Sequence, residues 1–296
     1  MKLPAHWTEK DHGVYADDDN VCKDNLDYGP KMTKETRLYW LSQLDQHSSM
    51  RRSCVYKKDN DSYIDPTFLK FTDYDSMLPD FYGDHGVVVD HLQFDSHFEC
   101  GNLALAQRVG SSHSYELLMS CDHSTDGFTQ WFYFRFKGVL PHVLYSFYLL
   151  NHYKPQSLFR HGLRLLLYRR GRWYRIGSNI AYFKTRFSHS HTSSPFYALA
   201  FQFSLSDVLP SDVLYLAHCY PYSHTLLQHH LSSWCQSPFV SRSSLCRSSL
   251  FDIPLLTISN SSSFKKISHF YHDSFTRTHP FIENVLVSSS SSSSSP

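Results

Sequence analysis

The sequence predicts a mainly β protein built as an antiparallel β-sandwich, on three observations. From Gly86 onward, short aromatic and β-branched runs follow one another at sandwich-like spacing. Turn pairs punctuate them at Asp126-Gly127, Lys137-Gly138, Arg170-Gly171 and Pro210-Ser211. The 296 residues hold 22 Phe, 20 Tyr and 5 Trp against 11 Gly, a composition that suits pleated, half-buried surfaces.

Residues 1–85 are acidic, polar and poorly periodic, which predicts a largely irregular leader. One helix is expected there, from Thr33 to Gln46, with Thr33 as its cap and Leu38, Trp40, Leu41 and Leu44 as its apolar stripe. The sandwich is assigned to 86–222. Its strands are expected at Val87–Phe94, Ser114–Cys121, Thr129–Lys137, Val143–His152, Arg164–Arg169, Trp173–Ile176, Asn179–Lys184, Phe196–Leu205 and Val213–Tyr220. Within Trp131–Phe136, alternation puts Phe132, Phe134 and Phe136 on the core face and Trp131, Tyr133 and Arg135 on the other.

Past Tyr222 the texture changes. His224–Trp234 suits a helix with Leu226, Leu227 and Leu231 inward, and Ile253–Ile258 a short buried strand. Residues 259–287 carry no firm period. The eight serines at 288–295, followed by Pro296, cannot build a core and are expected to be disordered.

No run of 18 apolar residues is present, and the first residues lack a secretory apolar segment, so no membrane partner is expected. The seven cysteines are odd in number, scattered and without a CxxC pair, as reduced thiols in the cytoplasm would be. Net charge is +1, but residues 1–100 hold 19 acids and 11 bases while the rest hold 8 acids and 17 bases. Lys154–Arg186 contains nine bases and no acid. Its Lys154, Arg164, Arg169, Arg170, Arg172, Arg175, Lys184 and Arg186 are candidates for holding an acidic partner, a polyanionic protein tail rather than nucleic acid. The competing reading is that these bases solvate strand faces or pair with the acidic leader.

Twenty histidines invite a metal reading. His6-Trp7-Thr8-Glu9 has a zinc-peptidase spacing but lies in the polar leader with no strand to present it. His189-Ser190-His191 and His229-His230 lack an acid or Cys at a recognised interval, Cys219 with His224 is an equally thin pair, and no four ligands group as a closed zinc site. Nucleophile elbows and phosphate loops are absent from the sequence. The residues alone therefore name a fold and a basic face, but no reaction.

One run goes further. Phe94-Asp95-Ser96-His97-Phe98-Glu99-Cys100-Gly101-Asn102-Leu103 resembles the signature that opens the amino-terminal domain of the cytosolic carboxypeptidases, Phe-Asp/Glu-Ser-x-Phe-Glu-Ser-Gly-Asn-Leu, with Cys100 in place of serine. The resemblance continues through Tyr115-Glu116-Leu117, Gln130 to Phe134, Tyr145-Ser146-Phe147, Asn151, Trp173 to Gly177, Ile180 to Lys184 and Tyr220 to Ser223. Leu245 to Ser248 and Leu255 to Ile258 resemble the first segments of that family's peptidase domain.

The resemblance implies a β-sandwich followed by the start of an α/β carboxypeptidase domain of the M14 type. That family uses zinc and removes glutamates from polyglutamylated tubulin and other acidic tails. It further implies a cytoplasmic protein, associated with microtubules or cilia. The family's zinc-binding His-Pro-Gly-Glu segment finds only an echo here, in His279-Pro280 and Glu283, where Gly is missing and Glu comes one residue late. In an extended chain that shift turns the carboxylate to the opposite face. His279 and Glu283 are thus a remnant metal pair at most, and with no later ligand segments before Pro296 the chain is expected to bind no zinc and to be inactive alone. The alternative is a non-enzymatic module that binds acidic partners through the basic sandwich face.

Overall fold

The computed structural model describes residues 28–58, 65–69, 91–122, 125 and 127–236, together with the backbone of 240–247 and 252–258. The chain divides into two units, at Pro221 and Tyr222.

The first unit opens with helix α1 (Lys34–His47), whose amino end is held by Thr33 Oγ1 accepting from the Thr36 amide. The helix buries Trp40 and Leu44, with Leu41 half-buried, while Leu38 of the expected stripe is 54% exposed. Strand β1 (Arg52–Lys57) follows, then a single turn of helix, α2 (Pro66–Leu69). The composition of 1–85 predicts only irregular chain outside α1. The structure corrects that, because β1 pairs with a strand of the main sheet. Its burial pattern is broken by a bulge between Cys54 and Tyr56, which hides the two-residue period.

The remaining strands of this unit are β2 (Gln93–Asp95), β3 (Leu103–Val109), β4 (Ser114–Met119), β5 (Tyr133–Lys137), β6 (Tyr145–His152), β7 (Leu165–Arg169), β8 (Arg172–Ile176), β9 (Ser178–Ser188), β10 (Pro195–Phe203) and β11 (Leu214–Ala217). They form a six-stranded sheet, β1-β3-β4-β6-β10-β9, and a five-stranded sheet, β2-β5-β11-β7-β8. All pairings are antiparallel but one. β4 and β6 run parallel, because the chain leaves the six-stranded sheet after β4, contributes β5 to the other sheet and returns.

The two sheets share a core. Phe134 and Phe136 of β5 meet Phe147 of β6, and Phe136 also meets Phe203 of β10, with ring centroids 5.6 to 6.4 Å apart. Phe132, Phe134 and Phe136 all lie in this cluster, as the alternation predicts. The outer faces are covered as well. Trp40, Leu44 and Phe68 pack over the six-stranded sheet with Phe183, Phe196 and Ala198. On the outside of the five-stranded sheet, Phe98, Tyr133 and Trp173 form a smaller aromatic cluster. Burial on both faces explains why the sequence conceals β3: all seven of its residues are buried, so LALAQRV shows no alternation.

In the second unit, helix α3 (His224–Trp234) is capped by Ser223, whose hydroxyl accepts from the Leu226 amide. Leu226, Leu227 and Leu231 are half-buried rather than fully inward. Strands β12 (Val240–Arg247) and β13 (Asp252–Ile258) pair antiparallel, and β13 contains the strand expected at Ile253–Ile258. No described helix is long and apolar enough to cross a membrane.

Candidate functional site

The signature run folds as a corner that carries the chain from β2 in one sheet to β3 in the other. Cys100 turns it at φ 67, and Gly101 follows where a Cβ would lie 2.5 Å from the Ser96 carbonyl oxygen. Inside the corner, Asp95 Oδ2 accepts from Arg135 Nε at 2.7 Å and from Nη2 at 2.6 Å, with both side chains about one-twentieth exposed. Asp95 Oδ1 accepts from the amide and Nδ1 of His97. Ser96 Oγ donates to the Leu103 carbonyl and meets the Tyr56 hydroxyl, which accepts from the Ser96 amide.

Two asparagines of the resemblance stand in for missing strand partners. Asn102 donates to the Trp131 carbonyl and accepts from the Tyr133 amide; Asn151 accepts from the Met119 amide and donates to its carbonyl. These polar residues complete backbone ladders where strands part, and burial makes each unmade bond costly. The corner is therefore a structural device.

The basic candidates separate into groups. Arg164 and Arg175 are half-buried; Arg175 Nη1 donates to the Arg164 carbonyl, and its guanidinium sits 5.6 Å from the Tyr220 ring centroid. Lys184 and Arg186 are exposed on β9, and Arg186 lies 3.5 Å from Asp45 of α1. Lys154 and Arg172 are exposed. Arg169 ends β7 and Arg170 lies in the β7–β8 turn, and both are engaged by the β10–β11 loop. Arg169 grips Asp207 with two bonds, Nη1 to Oδ1 at 2.8 Å and Nη2 to Oδ2 at 2.6 Å. Arg170 Nη2 donates to the Asp207 carbonyl and lies 3.0 Å from Asp212 Oδ2. The Arg169 side chain holds the Asp207 carboxyl below its usual range. The sequence concealed both acids, since the stretch is acid-free only along the chain and Asp207 lies 38 residues beyond Arg169.

Other ionisable groups are buried away from this surface. On the outer face of the six-stranded sheet, Glu116 accepts from Arg52 and meets His47 Nδ1 at 3.1 Å. Burial pushes its carboxyl up, but the bonds from His47 and Arg52 prevail and hold it low. Asp65 accepts from the amide and hydroxyl of Ser190, tying α2 to the β9–β10 hairpin. His152 is buried against Phe132 and Tyr182, and burial pulls its imidazole down to about 3.

Among the described residues no three of His, Cys, Asp and Glu converge as metal ligands. The described residues thus do not fit a zinc site. His279 and Glu283 lie outside them.

Residues 94–201 match the family model described as the cytosolic carboxypeptidase N-terminal domain. Cytosolic carboxypeptidase 2 of Macaca fascicularis is 38% identical over 183 residues, covering 58% of this chain and 21% of that protein. Cytosolic carboxypeptidase 1 of Mus musculus is 31% identical over 212 residues, covering 65% of this chain and 17% of that protein. The chain thus spans about a fifth of the length of the curated relatives it matches. A crystal structure of a metallo-carboxypeptidase from Burkholderia cenocepacia overlays 59% of this chain and 41% of that one at 21% identity, with a TM-score of 0.41, too partial an overlap to carry weight.

Proposed function

We propose, from the match of residues 94–201 to the cytosolic carboxypeptidase N-terminal domain, that the chain supplies the amino-terminal sandwich of a zinc metallocarboxypeptidase. That enzyme would trim glutamates from polyglutamylated tubulin and other acidic protein tails in the cytoplasm, near microtubules or cilia. In this reading the sandwich is non-catalytic, and residues 1–296 alone neither bind zinc nor hydrolyse a peptide. The observation that carries the reading is what the signature does. Asp95, Ser96 and Asn102 of the signature, and Asn151 beyond it, are all committed to internal hydrogen bonds that brace the strands and the corner between the sheets, which leaves the sandwich to serve as scaffold and surface.

Purified chain incubated with zinc and a glutamate-tailed peptide is expected to release no glutamate. Zinc-dependent release would overturn the proposed inactivity.

A second reading, a binding module for acidic partners, is favoured by the nine bases between Lys154 and Arg186. It is compatible with the first, since a sandwich attached to a catalytic domain can hold the tail being trimmed. Reversing the charge of Arg172, Lys184 and Arg186 should weaken binding of a labelled oligoglutamate peptide at low salt. Unchanged affinity would exclude the basic surface as the docking site.

A further inference from the structure

We infer that Arg169 and Arg170 form a carboxylate-binding fork for an acidic peptide, and that Asp207 occupies it as an internal stand-in for a glutamate side chain. The inference rests on the acidic-tail reading above and assigns a site within it.

Three observations converge. First, the geometry is that of ligand recognition. Both oxygens of one carboxylate are met by the two terminal nitrogens of Arg169, and Arg170 reaches the same oxygen at 3.4 Å and the Asp207 carbonyl at 3.0 Å. Second, the occupant is open to solvent. The Asp207 side chain is 62% exposed and sits on a loop, whereas Arg169 is 12% exposed and anchored at the end of β7. The Asp207 carboxylate can therefore leave for water while the Arg169 fork stays in place, and a multivalent polyanion can compete for it. Third, Arg170 adopts φ 46 in the tight β7–β8 turn, ahead of Gly171 at φ 84. Turns of this kind favour Asn or Asp before Gly, and an arginine held there keeps its guanidinium facing the loop at a conformational cost.

Asp212 plays a different part. Its carboxylate accepts from the Leu209 amide and lies 3.0 Å from Arg170, and its side chain is only 14% exposed. It pins the loop, and Asp207 is the exchangeable member. When a tail arrives, its carboxylate takes the Arg169 fork, Asp207 swings into solvent, and Asp212 keeps Arg170 in register.

The test is fluorescence anisotropy of a labelled oligoglutamate peptide at low salt, on the full chain and its variants. Asp207→Asn removes the internal competitor's charge and should tighten binding about fivefold, the scale of an exposed ion pair. Asp207→Glu keeps the competitor and should stay within about twofold of the parent. Adding Arg169→Gln and Arg170→Gln to Asp207→Asn should abolish the gain. Parent chain that binds the peptide, with Asp207→Asn binding no tighter, overturns the fork while leaving the acidic-tail reading intact. Absence of binding by parent and Asp207→Asn alike overturns both. Binding by Asp207→Asn alone supports the fork.

Discussion

Removal of the Asp95 carboxylate is the sharpest test of the corner that joins the sheets. Asp95→Ala would delete two charge-assisted bonds to Arg135 and two bonds to His97. The Arg135 guanidinium, about one-twentieth exposed, would lose the carboxylate that its Nε and Nη2 both meet. Removing one partner of a buried ion pair costs about 3–5 kcal/mol. Against a total stability of about 5–15 kcal/mol for a domain, that loss leaves a marginal fold. The assay is urea unfolding of the full chain at neutral pH, followed by tryptophan fluorescence, with parent and variant compared at equal m-value. The companion Asp95→Leu with Arg135→Met should recover most of the loss, because apolar replacement of a buried pair is often nearly neutral. The reasoning is refuted if Asp95→Ala costs less than about 1 kcal/mol, or if the paired replacement is as damaging as the single one.

Three further outcomes follow from the same geometry. Trp40 is fully buried beneath α1 and donates its indole N–H to the Asn179 carbonyl, so Trp40→Ala should cost about 3–5 kcal/mol and expose α1 and β1 to protease; a cost under about 1 kcal/mol would mean that α1 does not cover the sheet. His152 is buried with its pKa pulled down to about 3, so the unfolded chain binds its proton first and stability is complete only above about pH 6.5. On acidification the protein should lose about 2 kcal/mol from this residue by pH 5, read as a falling urea midpoint, and His152→Leu should flatten that slope; an unaltered slope would refute the assignment. Gly101→Ala places a Cβ 2.5 Å from a backbone oxygen and should destabilise by about 2 kcal/mol or more, whereas a thermal midpoint equal to the parent would show that the corner relaxes freely.

Legibility in the sequence followed which physical signal each element needs. Strands with one face on the shared core, such as β5, where Phe134 and Phe136 continue the row begun by Phe132, announce themselves by alternation. Strand β3 does not, because Leu105 packs with Trp40 and Phe68 on the outside while Leu103 and Ala106 face the inner core. That outer cover comes from α1 and α2, whose acidic and polar surroundings read as irregular chain. The boundary placed at 86 leaves out β1, which pairs with β3. A fragment starting there lacks β1, α1 and the Arg52 and His47 partners of buried Glu116, and the exposed edge of β3 would remain unpaired.

The site was legible only in half. A run of nine bases is visible in one dimension, but whether a base is available is decided by acids that arrive from elsewhere in the fold. Asp207 and Asp212 come from the β10–β11 loop, Asp45 from α1, and together they engage Arg169, Arg170 and Arg186. Charge counting along the chain therefore overstates the field that a partner meets. It also hides a distinction that matters for binding. Arg175 is spent on a backbone carbonyl and a tyrosine ring. Arg169, by contrast, is spent on an exposed carboxylate, a contact that an incoming acidic side chain can replace atom for atom. If the basic stretch holds a tail at all, the arginine already gripping a carboxylate is the one whose geometry needs least change to do so.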